Sequence, residues 1–287
     1  MNKSSLRQLV TTEKPLLTPL AHDALTARLI ERAGFKSIGI GGSALLASRY
    51  GLPDIGLAAF GEMLAGIRDI IAATNLPVMV DGDDGYGDIR SVAHMVETYA
   101  RLGVSGIVLE DQMLVAKQPG DAGAIAVVAA ADMIGKIKVA VSSCTGTGIQ
   151  IIARCDAYKL EGLDGAIRRG EKYLAAGAHG LFIPGLSTVD ELAQVGRRFN
   201  GMHLLTAQFE GRSTWLPPAT LYEMGFRQIA LPGLLLPRIV NCIDQTLQNM
   251  AGFAASAKPL PDYPMDQAQH ALNAALQFDK WKAIKAD

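Results

Sequence analysis

Short apolar segments alternate with longer amphipathic segments along most of this chain. Eight of the apolar runs have the length of a strand, and each is predicted to be a buried strand. The amphipathic segments between them are predicted to be helices. The predicted strands are residues 16–20, 37–41, 77–81, 106–110, 149–154, 180–184, 203–207 and 227–231, and the predicted helices include 22–35, 60–74, 88–103, 129–143, 165–178 and 189–199.

This alternation predicts an α/β fold with parallel strands, because parallel strands need crossover connections that helices usually supply. Eight such units in about 250 residues match a closed (β/α)8 TIM barrel. A doubly wound open sheet is the alternative. Four glycines, Gly34, Gly103, Gly177 and Gly225, lie between a helical segment and the next strand, as expected for left-handed helix C-caps. The prediction is one barrel domain over residues 1–287.

The C-terminal segment 255–287 departs from the repeating pattern. It contains the proline-rich stretch "AKPLPDYPMD" and then residues 267–286, which are predicted to form an extra helix. The Leu, Phe and Trp side chains of that helix need a surface to pack on, and a neighbouring subunit offers one. We therefore expect a helical extension of the barrel and a homo-oligomer.

Composition and charge exclude several classes of partner. The 287 residues are 49% hydrophobic and 19% charged, with a formal net charge of −1. Such a chain offers no positive excess for nucleic acid or an anionic membrane. No run reaches the roughly 18 apolar residues of a membrane span, and the N-terminus lacks the apolar core of a secretory signal. Because Cys144, Cys155 and Cys242 lack metal-ligand spacing, we expect reduced thiols in a cytoplasmic protein.

Polar residues follow the predicted strands at their carboxyl ends. Active sites of (β/α)8 barrels lie at that end, so these residues are expected to form one set. They are Gly41, Gly42 and Ser43 after the second strand, Asp81 and Asp83 after the third, Glu110 and Asp111 after the fourth, Arg154 and Asp156 after the fifth, and Glu210, Gly211 and Arg212 after the seventh.

The segment "VDGDDGYGD" at 80–88 is the densest group of carboxylates. Asp81 and Asp83 are two residues apart and would point the same way in an extended chain. With Glu110 on the next strand they form a carboxylate cluster that needs a cation, and Mg²⁺, or alternatively Mn²⁺, suits oxygen ligands. The other interpretation is a strand-ending turn in which aspartates cap backbone amides. Asp88 is predicted to cap the next helix.

Other residues also leave two interpretations open. Arg154 ends an apolar strand and either forms a structural ion pair with the carboxylates or holds a substrate carboxylate through its planar guanidinium. The turn "GIGGS" at 39–43 either presents backbone N–H groups to an anion or is a plain tight turn. The five histidines show no metal spacing, so we interpret them as structural. Cys155 has no histidine partner in the pattern and is not expected to be a nucleophile.

Four motifs together resemble the isocitrate lyase / phosphoenolpyruvate mutase superfamily. They are "GLPDIG" (51–56), "DGDDGYGD" (81–88), "GIVLEDQ" (106–112) and "IIARCDA" (151–157), and the resemblance runs from about residue 16 to about residue 245. It implies a (β/α)8 barrel with Mg²⁺ at the strand ends. It also implies a C-terminal helix exchanged between paired subunits and assembly as a tetramer.

The resemblance assigns roles to individual residues. The superfamily's metal-site carboxylates match three side chains here, some of which act through water, and its carboxylate-binding arginine matches Arg154. Gly42 and Ser43 match the turn that contacts the substrate and its developing oxyanion, and Asp54 matches an aspartate on a mobile loop. Tyr86 and Arg212 are further candidates for substrate contacts. The metal-site matches are Asp81, Asp83 and Glu110.

This sequence departs from the lyases of the superfamily on the loop after the fourth strand. Gln118 stands where those lyases carry an acid–base cysteine, and Gly120 stands where they carry a histidine. Lys117 remains as a basic residue. A metal and oxo-acid pocket without that proton shuttle is expected to suit decarboxylation of a 2-oxo dicarboxylic acid through an enolate, with oxaloacetate as the substrate.

Two alternatives stay open at this point. The first is a carbon–carbon lyase of the methylisocitrate or dimethylmalate type, or a phosphonopyruvate enzyme, with the proton supplied by Lys117 or another residue. The apolar segment "PGLLLP" at 232–237 would suit a substrate with less polar substituents. The second alternative is a barrel that binds an oxo acid without turning it over.

Overall fold

The computed structural model of the chain describes residues 5–113, 126–211 and 214–284. All eight predicted strands are present, and their bounds lie within a few residues of the predicted ones. In chain order the strands are β1 (Leu16–Pro19), β2 (Ile38–Ile40), β3 (Val78–Asp81), β4 (Gly106–Glu110), β5 (Gln150–Arg154), β6 (Gly180–Phe182), β7 (His203–Ala207) and β8 (Phe226–Leu231).

The eight strands form one parallel sheet that is a nearly closed barrel. The hydrogen-bonded order is β1-β8-β7-β6-β5-β4-β3-β2. The two end strands approach each other through a parallel bridge between Leu20 and Gly39, where the N–H of Ala21 donates to the carbonyl oxygen of Gly39 at 2.8 Å. The prediction of a (β/α)8 barrel is therefore confirmed, and the open-sheet alternative is wrong.

Helices separate the strands as the amphipathic pattern predicts. Among the described residues they also include three that the pattern did not predict, α1, α3 and α10, and α9, which ends just before Gly225 as predicted. The bounds are α1 (Leu6–Thr12), α2 (Ala24–Arg32), α3 (Gly42–Tyr50), α4 (Phe60–Ala72), α5 (Ile89–Leu102), α6 (Ala130–Ser143), α7 (Tyr158–Ala175), α8 (Val189–Arg198), α9 (Pro218–Glu223), α10 (Leu235–Ser256), α11 (Met265–Ala275) and α12 (Phe278–Lys282).

Glycines end several of these helices in the predicted way. The backbone φ is +88° at Gly34, +78° at Gly103, +105° at Gly177 and +110° at Gly225. These values lie in the left-handed region, where a Cβ is costly and glycine is favoured. The predicted C-caps are thus confirmed, and they turn the chain from a helix into the following strand.

The barrel interior is filled by apolar side chains from several strands. Met79, Val108, Ile152, Leu205 and Ala230 are buried together. Because the side chains of a strand point alternately to its two faces, residues of different strands meet here in one cluster. This cluster forms the floor beneath the carboxyl ends of the strands, where the polar residues begin.

The chain divides into two compact units, Met1–Pro232 and Gly233–Asp287. The boundary lies before residue 255, where the sequence pattern placed the start of the extension. The second unit consists of α10, α11 and α12, and the left-handed backbone of Gln277 (φ +55°) divides the one helix predicted at 267–286 into two. Within residues 5–113, 126–211 and 214–284, no helix has the length and apolar character that crossing a bilayer requires.

A matched pair of glycines tests the packing of the barrel's outer layer. A Cβ on Gly196 of α8 would overlap the backbone carbonyl of Met224, whereas a Cβ on Gly135 of α6 would meet nothing within 4 Å. We expect Gly196→Ala to lower the free energy of unfolding by about 1–3 kcal/mol. Gly135→Ala is expected to raise it by about 0.4–1 kcal/mol, because alanine restricts the unfolded chain. Urea denaturation measures both, and equal effects would contradict the packing described.

Candidate active site

A cavity of about 220 Å³ opens at the carboxyl ends of the strands. Its polar lining residues are Ser43, Asp54, Asp81 and Arg154, and its apolar lining residues include Phe182, Pro184, Leu205, Phe209, Ala230 and Pro232. This is the end of a (β/α)8 barrel where catalytic residues lie. The expectation that polar residues from separate strands form one set is met by Asp81 and Arg154.

The N-terminus of α3 faces the carboxylates that follow β3. The Gly42 N–H donates to Asp81 Oδ2 at 3.4 Å. A Cβ on Gly42 would lie 3.7 Å from Asp81 Oδ2 and 3.9 Å from Asp83 Oδ1, so oxygens of both carboxylates converge on this glycine. The segment "GGS" at 41–43 is the N-cap and first turn of α3, so it is not a plain turn. A Cβ at position 42 would be in van der Waals contact with both carboxylates.

The backbone after β3 turns sharply, and the argument from an extended chain was wrong at this point. Asp83 has φ +45° and Tyr86 has φ +59°, both in the left-handed region. Asp83 therefore reaches the neighbourhood of Asp81 through a turn and not by strand alternation. Gly85 has φ +89°, and a Cβ there would overlap the side chain of Val92. The turn therefore needs glycine at position 85.

Other aspartates of the same segment hold its shape. Asp84 Oδ1 accepts the Tyr86 N–H at 2.9 Å, and the buried Lys136 of α6 donates to the Asp84 carbonyl oxygen at 2.6 Å. Asp88 caps α5 as predicted, because its Oδ1 accepts the N–H groups of Arg90 and Ser91. Those two hydrogen bonds lower the pKa of Asp88. The capping interpretation of the segment is thus correct for Asp84 and Asp88, and the metal role of Asp81 and Asp83 stays a prediction.

Arg154 at the end of β5 lies between two carboxylates. Its Nη1 is 2.9 Å from Glu110 Oε2, and its Nη2 donates to Asp156 Oδ1 at 2.8 Å. Burial alone would lower the pKa of Arg154, but the charges of Asp156, Glu110 and Asp81 outweigh burial and raise it. The guanidinium is therefore always charged. The ion-pair interpretation of Arg154 is correct, and Arg154 also lines the cavity, so a substrate role is compatible with it.

A buried network behind the site was not predicted from the sequence. Asp111 is fully buried, and its Oδ2 accepts hydrogen bonds from Tyr173 at 2.6 Å and from Arg169 at 3.3 Å. Its Oδ1 accepts the Asp156 N–H at 2.7 Å. Burial raises the pKa of Asp111. The network fixes the backbone of Asp156 and, through Asp156, the guanidinium of Arg154.

The structure brings together only part of the predicted set. Gly42, Ser43, Asp54, Asp81 and Arg154 line the cavity. Asp83 and Glu110 are buried and are not part of its wall. Tyr86 is not part of the wall either, because its ring packs on Phe60 with the ring centres 5.2 Å apart. The loop with Lys117 and Gln118, and the candidate Arg212, lie outside the described residues.

The residues interpreted as structural have structural contacts. Nδ1 of His179 accepts the Ile151 N–H at 2.9 Å, and His203 Nε2 lies 2.8 Å from Gln228 Oε1. Burial lowers the pKa of His203 to about 4. Cys155 is fully buried, and burial raises the pKa of its thiol well above the usual range. A buried thiol of this kind stays protonated and is a poor nucleophile.

The carboxylate oxygens of Asp81 and Asp83 suit a hard cation that binds few protein ligands. Within the described residues, no group of three His, Cys, Asp or Glu side chains is placed to hold a metal ion. Mg²⁺ commonly binds through one or two carboxylates and keeps water or substrate oxygens for its other positions. Asp81 and Asp83, whose oxygens converge on Gly42, provide such a pair. The metal role of Glu110, which is ion-paired with Arg154, stays a prediction.

Comparison with known proteins identifies the family. The sequence profile of the family described as phosphoenolpyruvate phosphomutase matches residues 6–251. The chain belongs to this family. Its predicted membership of the isocitrate lyase / phosphoenolpyruvate mutase superfamily is thereby confirmed.

Members of the family that resemble this chain are enzymes. It is 35% identical to 2,3-dimethylmalate lyase of Eubacterium barkeri over 229 residues, which are 80% of this chain and 79% of that enzyme. It is 31% identical to 2-methylisocitrate lyase of Halalkalibacterium halodurans over 278 residues, 97% of this chain and 90% of that enzyme. These relatives confirm the prediction of a lyase-type enzyme.

A solved structure shares almost the whole fold. The structure of oxaloacetate acetylhydrolase in complex with the inhibitor 3,3-difluorooxalacetate superposes with a TM-score of 0.86 at 27% sequence identity. The match covers 99% of this chain and 97% of that chain. The phosphoenolpyruvate phosphomutase family member described here thus shares its fold with that enzyme.

Proposed function

We propose that this enzyme converts a 2-oxo dicarboxylic acid through a metal-stabilised enolate, with decarboxylation of oxaloacetate as the reaction. The observation that carries the proposal is the shared cavity of Arg154, Asp81 and the N-terminal turn of α3. A guanidinium and helix N–H groups on one wall recognise carboxylate and enolate oxygens. The carboxylate of Asp81, which lines the same cavity, would bind a cation.

The protein groups have separate roles in this reaction. The guanidinium of Arg154, held by Glu110 and Asp156, binds a substrate carboxylate. In the first turn of α3, the Gly42 N–H holds the Asp81 carboxylate, and the Ser43 N–H, which has no acceptor within the helix, donates to the oxygen on which charge develops. Asp54, from the loop before α4, closes the wall of the cavity beside them.

Asp81 and Asp83 would hold Mg²⁺, which when bound would polarise the 2-oxo group and neutralise part of the enolate charge. In decarboxylation the bond between C3 and C4 breaks, its electron pair moves toward the C2 oxygen, and the C4 carboxylate leaves as CO₂. The enolate then takes a proton at C3. Since Ser43 is the hydroxyl of the described wall, we propose that water or Ser43 supplies this proton.

A second candidate is a carbon–carbon lyase that releases pyruvate or a related oxo acid from an alkylated substrate. It is favoured by the apolar residues that line the cavity, among them Leu205, Phe209 and Ala230. Alkyl groups gain free energy by leaving water for such a wall. The identity with 2,3-dimethylmalate lyase points the same way. Lys117, or another residue, would then take part in the proton transfer.

The proposal is tested by following oxaloacetate loss with and without Mg²⁺. We expect metal-dependent loss above the rate of metal alone. Asp83→Asn is expected to remove this loss, and Asp88→Asn provides the matched control, because it makes the same chemical change in the same segment but at a helix cap. Asparagine is itself a good N-cap residue. Absence of enzyme-dependent loss would contradict the decarboxylase assignment.

Three further substrates separate the alternatives. Turnover of 2,3-dimethylmalate, 2-methylisocitrate or phosphonopyruvate in preference to oxaloacetate would replace the decarboxylase assignment with the second candidate or with a phosphonopyruvate enzyme. If none of the substrates reacts while oxalate with Mg²⁺ raises the midpoint of thermal unfolding, the barrel binds an oxo acid without turning it over. The thermal measurement needs no activity and so separates binding from catalysis.

We also propose that the second unit, Gly233–Asp287, is completed by further copies of the chain in a homotetramer. Many of its large apolar side chains are exposed, including Leu247 of α10 and Phe278 and Trp281 of α12, each at least half exposed. Monomers rarely expose so many large apolar side chains together. The resemblance to the superfamily implies that paired subunits exchange a C-terminal helix, and such an exchange would cover these side chains.

Size-exclusion chromatography with light scattering tests the assembly. We expect an oligomer for the full chain and a smaller species for Phe278→Asp or Trp281→Asp. Lys282→Asp, on the same short helix, is the control and is expected to leave the mass unchanged. A monomeric full chain would contradict this part of the proposal.

A further inference from the structure

A second cavity lies at the opposite end of the barrel. It has a volume of about 380 Å³. Its wall contains Gln150 and His203, the first residues of β5 and β7, and His179, which precedes β6. Arg7 of α1 and Arg227 of β8 complete its polar side. Gln150 and Arg154 begin and end the same strand, so roughly 13 Å separates this cavity from the candidate active site.

The charge in this second cavity is entirely positive. Arg7 and Arg227 both line it, and no aspartate or glutamate occurs in its described wall. Neither arginine forms an ion pair within the part of the chain that the structure describes. The guanidinium of Arg227 lies over the ring of Tyr222, 4.6 Å from its centre, and this contact fixes one face of the guanidinium but leaves its N–H edge available.

The two histidines add hydrogen-bonding groups without adding negative charge. Nδ1 of His179 accepts the Ile151 N–H, so the ring proton of the neutral imidazole is on Nε2. Burial and the charge of Arg7 lower the pKa of His179, which places Arg7 close to this ring. His203 is engaged with Gln228 through Nε2. The wall therefore combines two cations with neutral donors.

We propose that the second cavity is a binding site for a phosphate-bearing anion, separate from the active site. Two guanidinium groups in one cavity repel each other, and an anion between them removes that repulsion. The planar fork of arginine matches phosphate oxygens in two-point hydrogen bonds. The volume lies in the ~300–1,000 Å³ range of small-molecule sites, so a phosphate ester of a small metabolite fits as well as inorganic phosphate does.

The test measures thermal unfolding in inorganic phosphate, in glycerol 3-phosphate and in sodium chloride at equal ionic strength. Both phosphates are expected to raise the unfolding midpoint above that in sodium chloride, since a ligand that binds only the folded state stabilises it. In Arg7→Gln and in Arg227→Gln the dissociation constant is expected to rise about tenfold or more, as for the loss of one charge-assisted hydrogen bond.

Arg197→Gln is the matched control, because Arg197 is an exposed arginine of α8 that is not part of the cavity wall. It is expected to retain wild-type phosphate binding. Arg7 is itself exposed, so its replacement is not expected to impair folding. Tighter binding of glycerol 3-phosphate identifies an ester as the ligand, and equal binding identifies the phosphate group alone.

Two results would overturn the proposal. The first is that neither phosphate shifts the unfolding midpoint of the wild-type protein. The second is that the shift persists unchanged in both Arg7→Gln and Arg227→Gln, which would place the bound phosphate elsewhere, for example at Arg154. Neither result depends on catalytic activity, so the outcome is independent of the proposed function.

Discussion

Arg154→Lys is expected to lower kcat/KM by about 10²–10³-fold, the effect of removing one preorganised donor from an active site. Lysine keeps the positive charge between Glu110 and Asp156, so the fold is retained. Its single ammonium group, however, cannot contact both of these carboxylates and also bind a substrate carboxylate through two parallel hydrogen bonds. Steady-state kinetics on the best substrate found by the screen measures the effect.

Arg198→Lys controls for a general cost of replacing arginine in an ion pair. Arg198 pairs with Glu171 on the protein surface, away from the cavity. Exposed ion pairs contribute about 0.2–1 kcal/mol, so this variant is expected to keep wild-type kcat/KM and nearly wild-type stability. If Arg154→Lys were as active as Arg198→Lys, the ion-pair role of Arg154 would be its sole role.

The second large effect concerns stability. Asp111→Ala is expected to lower the free energy of unfolding by about 2–5 kcal/mol, because it leaves the buried Tyr173 hydroxyl without its acceptor and removes one of the two carboxylates that pair with Arg169, the other being Glu161. It also removes the acceptor of the Asp156 N–H, which lies at 2.7 Å. Urea denaturation measures the loss, and activity measured well below the transition is expected to fall as Arg154 loses its orientation.

Asp132→Ala is the matched control for Asp111→Ala. Asp132 is exposed in the first turn of α6, where a carboxylate gains about 0.3–1 kcal/mol from the helix dipole. A loss for Asp111→Ala no larger than that for Asp132→Ala would show that the buried network does not stabilise the fold. It would also remove the argument that this network positions Arg154.

The strands could be predicted well for a physical reason. Strands of a parallel barrel are buried on both faces, so they appear as short continuous apolar runs such as "PVMVD" before the carboxylates. The N-cap of α5 was also predictable, since Asp88 precedes that helix and accepts its N–H groups. Local hydrogen bonding and periodicity decide these features, and both can be read from neighbouring residues.

Two of the helices that were missed, α3 and α10, have misleading starts. The helix α3 begins with Gly42 after another glycine, a pattern that is also typical of a turn. The helix α10 contains Pro237 in its first turn, where proline is tolerated because the N–H groups there have no partners in the helix. At both sites the local residues allow either a turn or a helix, so the sequence pattern alone does not decide between them.

The candidate site was predictable in its residue types but not in its contacts. Asp81, Glu110 and Arg154 could be placed because strand ends meet at one end of a barrel. The pairing of Arg154 with Asp156 and the burial of Asp111 depend on side-chain packing between distant segments. The turn that brings Asp83 near Gly42 depends on left-handed backbone that the glycines permit but do not specify. The second cavity is lined by residues of α1, β5, β7, α9 and β8, which lie far apart in the sequence and meet only in the folded chain.

The most direct measurement of the central claim is a crystal structure of the protein with Mg²⁺ and oxalate, a mimic of the enolate. The proposed function predicts the metal on a carboxylate oxygen of Asp81 or Asp83, with oxalate bound to both the metal and the guanidinium of Arg154. The Ser43 N–H is expected to donate to an oxalate oxygen. Metal or oxalate bound only outside the cavity of Arg154 and Asp81 would contradict the assignment of the active site.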